Sequence, residues 1–258
     1  MILFFDSGVG GMIYMEEFQR RSPSRSCLYL ADDAMFPYGD KAPEIVRRRV
    51  VRVITAIVEK YPVQAIVVAC NTASVVALDA LRQAVAVPVV GTVPAVKPAA
   101  AMTGTGHIAV LATNRTAYDP YTDDLVRQFA RIVRVSRLGL PGLVRAAERY
   151  HCSGDDNEIQ RVISEEVAPR LDPDVDTVVL ACTHFVRFRD HFRGVLGSGV
   201  RVVDSLDGVI RRLLQVLPDF ADDATSVGAS LLMRTGNDSA VLCDHAVQQW
   251  TQAPELTS

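Results

Sequence analysis

Lysine is scarce in this chain. Only Lys41, Lys60 and Lys97 occur among 27 basic residues, the others being arginine. A pyridoxal-phosphate enzyme needs a lysine for its Schiff base, so few candidates exist here, although the shortage alone excludes nothing. A membrane-spanning run is also missing, because no apolar stretch reaches the required length without a proline or a charge. Met1 to Phe5, closed by Asp6, is too short for the apolar region of a signal peptide. The expected address is therefore the cytoplasm, with no membrane partner. The five cysteines (27, 70, 152, 182 and 243) form no CxxC pair. Reduced thiols are expected rather than disulfides, and no zinc or other metal site. Excess charge of one sign is lacking too: the formal net charge is −3, which argues against a nucleic-acid-binding surface. The run Arg47-Arg48-Arg49 is the local exception. It sits in a helix-like segment with an apolar stripe at Val46, Val50, Val53, Ile54 and Ile57, and reads as a solvated helix face.

What is present is an echo. Ala65-Ile66-Val67-Val68-Ala69 is an apolar run that stops at Cys70-Asn71-Thr72-Ala73-Ser74, and Thr177-Val178-Val179-Leu180-Ala181 stops at Cys182-Thr183-His184. Runs of this kind read as strands buried on both faces, as in parallel sheets. In such sheets ligands gather beyond the carboxyl ends of the strands, where both cysteines fall. With 258 residues, 49% of them hydrophobic, the chain has material for one large or two modest domains.

Strand and helix alternate along the chain. Residues 2–5 read as a first strand, and Asp6-Ser7-Gly8-Val9-Gly10-Gly11 as a glycine-rich turn into a helix reaching about residue 20. Such a turn can present backbone N–H groups to an anion. A dinucleotide loop is the competing reading, with Asp32, after Leu28-Tyr29-Leu30, in the place of a ribose-binding acid. Ile13 stands where that fingerprint needs a third glycine, so nicotinamide binding is not expected. A helix over residues 43–60 follows the loop Pro37-Tyr38-Gly39, and another runs to about residue 83 after Cys70. Further strands are expected at 87–90, 108–112, 133–135, 177–181 and 201–203. Helices are expected to about 131, around 142–150 and 157–171, and over 209–217, with a less patterned tail. This predicts an α/β fold of two similar halves with mostly parallel sheets, a crossing between them at residues 94–105, and strand ends facing one cleft.

A cysteine in an apolar strand is usually inert packing. Two that stop their strands in the same way, each followed by hydrogen-bonding side chains, suit a chemical role. A thiolate on one face of a stereocentre and a thiol on the other can remove and return a proton without turning the substrate, and reversal swaps their roles. The developing carbanion then needs electrostatic stabilisation in a water-poor pocket. The glycine turn, Ser7, Asn71, Thr72 and Thr183 could hold carboxylates, and Asp6 and His184 could assist the thiols.

Together, Phe5-Asp6-Ser7-Gly8-Val9-Gly10-Gly11, Pro37-Tyr38-Gly39, Ala69-Cys70-Asn71-Thr72-Ala73-Ser74, Val93-Pro94-Ala95-Val96-Lys97-Pro98 and Val178-Val179-Leu180-Ala181-Cys182-Thr183-His184-Phe185 resemble the bacterial glutamate racemases of the aspartate/glutamate racemase superfamily. The motifs come in the family's order and reach from residue 2 to about 205. The resemblance implies interconversion of L- and D-glutamate without a cofactor, supplying D-glutamate for peptidoglycan. It implies Cys70 and Cys182 as the catalytic acid/bases, assisted by Asp6 and His184. Ser7, Tyr38, Gly39, Asn71, Thr72, Thr116 and Thr183 match substrate-binding positions, and Glu148 matches a further carboxylate. It also implies two α/β domains, 1–93 with about 207–258 and 94–206, and a homodimer.

Ser74 and His184 side with glutamate rather than aspartate racemases, which tend to have His and Glu there. Val186-Arg187-Phe188 and Leu206 depart from the family pattern, which bears on rate and regulation more than on reaction type. The N-terminal extension of relatives that respond to a cell-wall precursor has no match here, which the resemblance sets against that activation. Two rivals remain: racemisation of another amino acid, and a non-catalytic relative that binds an acidic amino acid or a protein partner. The hallmark of the latter is a lost cysteine, and both are present.

Overall fold

The computed structural model describes residues 1–217, 228–236 and 250–252. The chain divides into two compact units, Met1–Thr92 with Leu206–Ser258, and Val93–Ser205. Both are α/β units with parallel sheets.

The first unit runs β1 (Ile2–Asp6), α1 (Met12–Arg21), β2 (Cys27–Ala31), α2 (Pro43–Lys60), β3 (Ala65–Val68), α3 (Asn71–Ala84) and β4 (Val89–Gly91). The second runs α4 (Val96–Met102), β5 (His107–Ala112), α5 (Asn114–Ala117), α6 (Pro120–Phe129), β6 (Arg134–Gly139), α7 (Pro141–Ser153), α8 (Asp156–Glu166), β7 (Thr177–Ala181), α9 (Thr183–Val186), α10 (Arg189–Leu196) and β8 (Arg201–Val203). The chain then returns to the first unit with α11 (Leu206–Val216), β9 (Ser230–Arg234) and β10 (Trp250–Gln252).

The six-stranded sheet has the order β10-β9-β2-β1-β3-β4 and the four-stranded sheet β6-β5-β7-β8. Every pairing in both is parallel. Period-two alternation builds two cores on the larger sheet. Leu3, Phe5, Leu28, Leu30, Ile66 and Val68 face the α2 stripe of Val46, Val50, Val53, Ile54 and Ile57. Ile2, Phe4, Cys27, Tyr29, Ala65 and Val67 face Tyr14 and Phe18 of α1 and Val209, Ile210 and Leu213 of α11. Each large side chain so buried contributes about 1.5–3 kcal/mol. In the second unit Ile108, Val110, Val179 and Ala181 pack with Val96 and Ala99 of α4.

Register then aligns the strand ends. Phe5 pairs with Leu30 and with Val68, which brings Asp6, Asp32 and Cys70 to one edge. In the smaller sheet Ala112 pairs with Ala181, which places Thr113 beside Cys182.

Some elements differ from the sequence expectation. The tail is not patternless: β9 pairs with β2 and β10 with β9. The helix expected to reach residue 171 ends at Glu166 and gives way to a 3₁₀ turn, Ala168–Arg170, because Pro169 cannot continue it. The strand expected at 133–135 extends to Gly139; its Arg and Ser positions suit an edge strand but hide it from an apolar count. Cys27, Cys70 and Cys182 form no disulfide, but Cys152 is disulfide-bonded, against the expectation of reduced thiols. No helix among the described residues is long and apolar enough to cross a membrane.

Candidate active site

Cys70 and Cys182 occupy equivalent backbone positions. Each is the residue between a buried strand and the next helix, with φ −143°, ψ 117° for Cys70 and φ −140°, ψ 133° for Cys182. Each is 5% exposed, and neither side chain caps its own helix. Cys27, by contrast, opens β2 deep in the sheet, where burial pushes its thiol up to about 12. Position along the strand separates the packing cysteine from the two with chemistry beside them.

Around Cys70 the first unit assembles Ser7, Asp6 and the glycine turn. Ser7 Oγ lies 3.9 Å from Cys70 Sγ and 3.4 Å from Asp6 Oδ1. The fully buried Asp6 carboxylate is held by backbone donors, accepting from Ser7 N at 2.7 Å and from Gly11 N at 2.7 Å. A Cβ on Gly11 would sit 2.5 Å from the Ala69 carbonyl oxygen, so only glycine lets the turn approach the strand that carries Cys70. Thr72 is buried on the first turn of α3. Next to it, Asn71 is buried with neither Oδ1 nor Nδ2 hydrogen-bonded among the described residues. A buried amide without partners is costly unless a ligand completes it.

Tyr38 is buried and starts a 3₁₀ turn with Gly39, and its hydroxyl donates to Asp32 at 2.5 Å. Burial, then the Asp32 and Cys70 charges, raise the Tyr38 pKa well above the ordinary tyrosine value. Arg49 donates to both Asp32 oxygens, from Nε to Oδ2 at 2.9 Å and from Nη2 to Oδ1 at 2.6 Å. The expectation that this arginine belongs to a solvated face is therefore corrected: its place, near the start of a helix above the sheet end, turns it inward. Asp32 has a local task and no ribose role is needed to explain it.

Around Cys182 the second unit assembles a different set. Cys182 Sγ lies 3.8 Å from His184 Nδ1, and His184 Nε2 pairs with Glu148 Oε2 from α7. All three are buried. Burial opposes a charged His184, but the Glu148 carboxylate and the Cys182 thiol outweigh it and hold the ring's pKa well above the usual value. His151 lies on the same helix as Glu148. Its pKa is lowered to about 4 by burial and by the Arg187 and His184 charges, so it is neutral near pH 7. Thr183 is buried at the start of α9. Thr116 is buried beyond β5, where its N–H and hydroxyl meet Thr113 Oγ1 at 3.1 and 3.2 Å.

One buried hydroxyl went unnoticed in the sequence. Thr92 Oγ1 has no partner among the described residues, and Thr92 follows β4 beside the Cys70 strand, its N–H bonded to Val68 O at 3.1 Å. Its place just past a short strand was the available clue. His107, Asp172 and Asp174 are the candidate metal cluster among the described residues, but His107 opens β5, at the sheet end opposite Thr113. Asp174 and Ser136 each lie 2.8 Å from a His107 ring nitrogen, and Arg134 pairs with both aspartates. It is an ion-pair cluster.

The model of the Asp/Glu/Hydantoin racemase family matches residues 13–213. The chain belongs to that family. It is 42% identical over 234 residues to a glutamate racemase of Salmonella typhimurium, covering 89% of this chain and 81% of the relative. It is likewise 42% identical over 229 residues to one of Klebsiella pneumoniae, covering 87% and 80%. Among solved structures, Escherichia coli glutamate racemase in complex with L-glutamate and an activator, UDP-MurNAc-ala, superposes with a TM-score of 0.81 at 39% identity, over 92% of this chain and 89% of that one. Thermus thermophilus glutamate racemase in complex with beta-chloro-D-alanine gives 0.74 at 29%, over 93% and 89%. As in these family members, the fold is two α/β units with parallel sheets.

Proposed function

We propose that this racemase-family chain is a glutamate racemase. It interconverts L- and D-glutamate by two-thiol proton transfer without a cofactor and supplies D-glutamate for peptidoglycan. The observation that carries the reading is the pair of equivalent strand-end cysteines, each with its own acid–base group, in a chain 42% identical to glutamate racemases.

In this reading Cys70 and Cys182 act on opposite faces of one α-carbon. The thiolate of one takes the α-proton, forming S–H as Cα–H breaks. The thiol of the other then gives its proton to the opposite face, and the roles are exchanged for the next turnover. His184, held charged by Glu148, serves Cys182 by proton exchange and orientation. Asp6 serves Cys70 through the Ser7 hydroxyl. Asn71, Thr72, Thr116, Thr183 and the Tyr38–Gly39 turn bind the carboxylates and stabilise the carbanion. A cytoplasmic homodimer, with glutamate as its small-molecule substrate and neither nucleic acid nor membrane as a partner, completes the proposal.

The deciding experiment incubates the purified protein with L-glutamate in D2O, without added cofactor, and follows the α-proton by NMR together with optical rotation. Loss of both signals is expected. Loss of the proton without inversion would leave one working base. If neither changes, glutamate racemisation is wrong.

A further inference from the structure

The departure from the family pattern at Val186-Arg187-Phe188 follows His184 directly, and the reaction just described gives it no task. Phe188 is 1% exposed and joins α9 to α10, its N–H donating to Phe185 O at 3.0 Å and its carbonyl accepting from Phe192 N at 3.0 Å. Its ring meets Tyr150 of α7 edge to face, with centroids 4.9 Å apart at 85°, and His191 of α10 at 5.6 Å and 79°. Tyr150 and His191 also converge on one oxygen of Asp156. The Tyr150 hydroxyl donates to Oδ1 at 3.0 Å, and His191 Nε2 lies 3.0 Å from it. The Asp156 side chain is 63% exposed, so these polar contacts are screened and weak. The buried ring of Phe188 carries the junction.

What the junction fixes is α7. That helix carries two partners of the segment 184–188: Glu148 pairs with His184, and Tyr150 packs on Phe188. Residues two apart in a helix point about 200° apart around its axis. The two contacts therefore fall on different sides of α7, and together they fix its rotation as well as its distance from α9. The buried side chains just before them, Ala146 and Ala147, are too small to lock that rotation. A roll of α7 would carry the Glu148 carboxylate off His184, and with it the negative charge that keeps the ring protonated beside Cys182.

We propose that Phe188 and Tyr150 are positioning residues for the Cys182 half-site. Their ring contact sets the rotation of α7 and so the approach of Glu148 to His184. The proposal rests on the reading of the chain as a glutamate racemase. Neither residue touches substrate. Both act on one face of the reaction, so the rate of proton transfer at Cys182 depends on an aromatic pair beyond the acid–base groups themselves.

The test is a double-mutant cycle on kcat and KM for glutamate, using the wild type, Phe188→Leu, Glu148→Gln and the pair. Phe188→Leu keeps most of the apolar volume and removes the ring. It should lower kcat about tenfold through misplacement of the acid–base pair, with KM changed less than about threefold. The primary isotope effect on α-deuterated glutamate should rise only for the enantiomer whose proton Cys182 takes, which is the one still exchanged by Cys70→Ser. In the Glu148→Gln background the same substitution should change kcat less than about twofold, because the link is already cut. An unchanged kcat, a tenfold loss that persists in that background, or isotope effects that rise equally for both enantiomers would overturn the proposal. If Phe188→Leu does not fold by circular dichroism, the decision passes to the partly exposed Tyr150. Tyr150→Leu should then lower kcat about tenfold while Tyr150→Phe, which keeps the ring, stays within about twofold of the wild type. An unchanged kcat in Tyr150→Leu, or an equal loss in both variants, overturns the ring contact. A wild type that does not turn over glutamate removes the functional reading and this inference together. An active wild type with losses independent of Glu148 removes the inference alone.

Discussion

Cys70 and Cys182 share a backbone position, a burial and a strand end, yet the groups beside them differ in kind. Beside Cys70 stands Asp6, whose side-chain oxygens accept from the Ser7 and Gly11 N–H groups, with the Ser7 hydroxyl 3.9 Å from the sulfur. Beside Cys182 stands an imidazole in direct reach of sulfur, kept protonated by Glu148. A reaction whose two end states are mirror images does not demand mirror-image machinery. The enantiomers have equal energy, so the two directions must agree in kcat/KM, but the two faces can reach that value with different chemistry. The strand-end backbone is common to both; the neighbouring ionisable group is what differs between the units.

The largest test of that comparison removes the thiols. Cys70→Ser and Cys182→Ser should each lower racemisation at least about 10³-fold, because a hydroxyl is a far poorer base at neutral pH. Each should keep only slow α-proton exchange in D2O, with opposite enantiomers of glutamate in the two variants. Exchange of the same enantiomer in both would mean that the cysteines do not serve opposite faces.

The partners come next. His184→Asn and Asp6→Asn should each cost about 10²-fold in kcat, and their primary isotope effects on α-deuterated glutamate should rise for opposite enantiomers. Equal isotope effects in both directions would make the two sets interchangeable. Gly11→Ala should resemble Asp6→Asn in activity and also lower stability by about 1–3 kcal/mol in urea unfolding, since its Cβ would meet the Ala69 carbonyl oxygen at 2.5 Å.

Glu148→Gln sharpens the contrast through pH. The folded-state pKa of His184 is raised, so its contribution to stability is full below the ordinary histidine value, about 6.5, and is lost as pH rises through the raised value. Urea unfolding should therefore show the wild type exceeding Glu148→Gln most at about pH 5–6.5, with the gap shrinking toward alkaline pH. A gap that widened with pH would mean that His184 is not held protonated. The smallest effect belongs to the packing cysteine. Cys27→Ser should change activity less than about twofold and stability by about 1–2 kcal/mol, the cost of a hydroxyl in an apolar core.

The parts of this design visible in the sequence were those with a period or an abrupt stop. Apolar runs ending Ala-Cys marked both sheet edges, and Gly8, Gly10 and Gly11 marked the turn under Asp6. Regularity of that kind is local, and β1, β3, β5 and β7 are central strands that are apolar along all or all but one of their residues. β9 could not be read this way because Ser230-Leu231-Leu232-Met233-Arg234 is only five residues between polar ends, and its pairing partner lies in β2. Glu148 had only a loose motif to mark it. What brings it to His184 is the packing of α7 against α9, which no spacing rule encodes. Arg49 sat in a run of three arginines that looked alike in sequence, while a difference of helix phase sends one of them to Asp32.

The order in which the chain builds its sheets has a consequence for synthesis. Residues 93–205 form one uninterrupted stretch, whereas the larger sheet is made from two pieces separated by that stretch. During translation the inserted unit can therefore be complete while β2, an apolar strand, still has a bare edge, and while Phe4, Phe18 and Tyr29 still lack the cover of α11. Contacts closed over such separations form late and leave sticky surface exposed in the meantime. A nascent chain from which residues up to 205 have emerged would hold a finished four-stranded domain tethered to an unfinished and aggregation-prone one, so α11 and β9 act as the clasp of the first ninety residues.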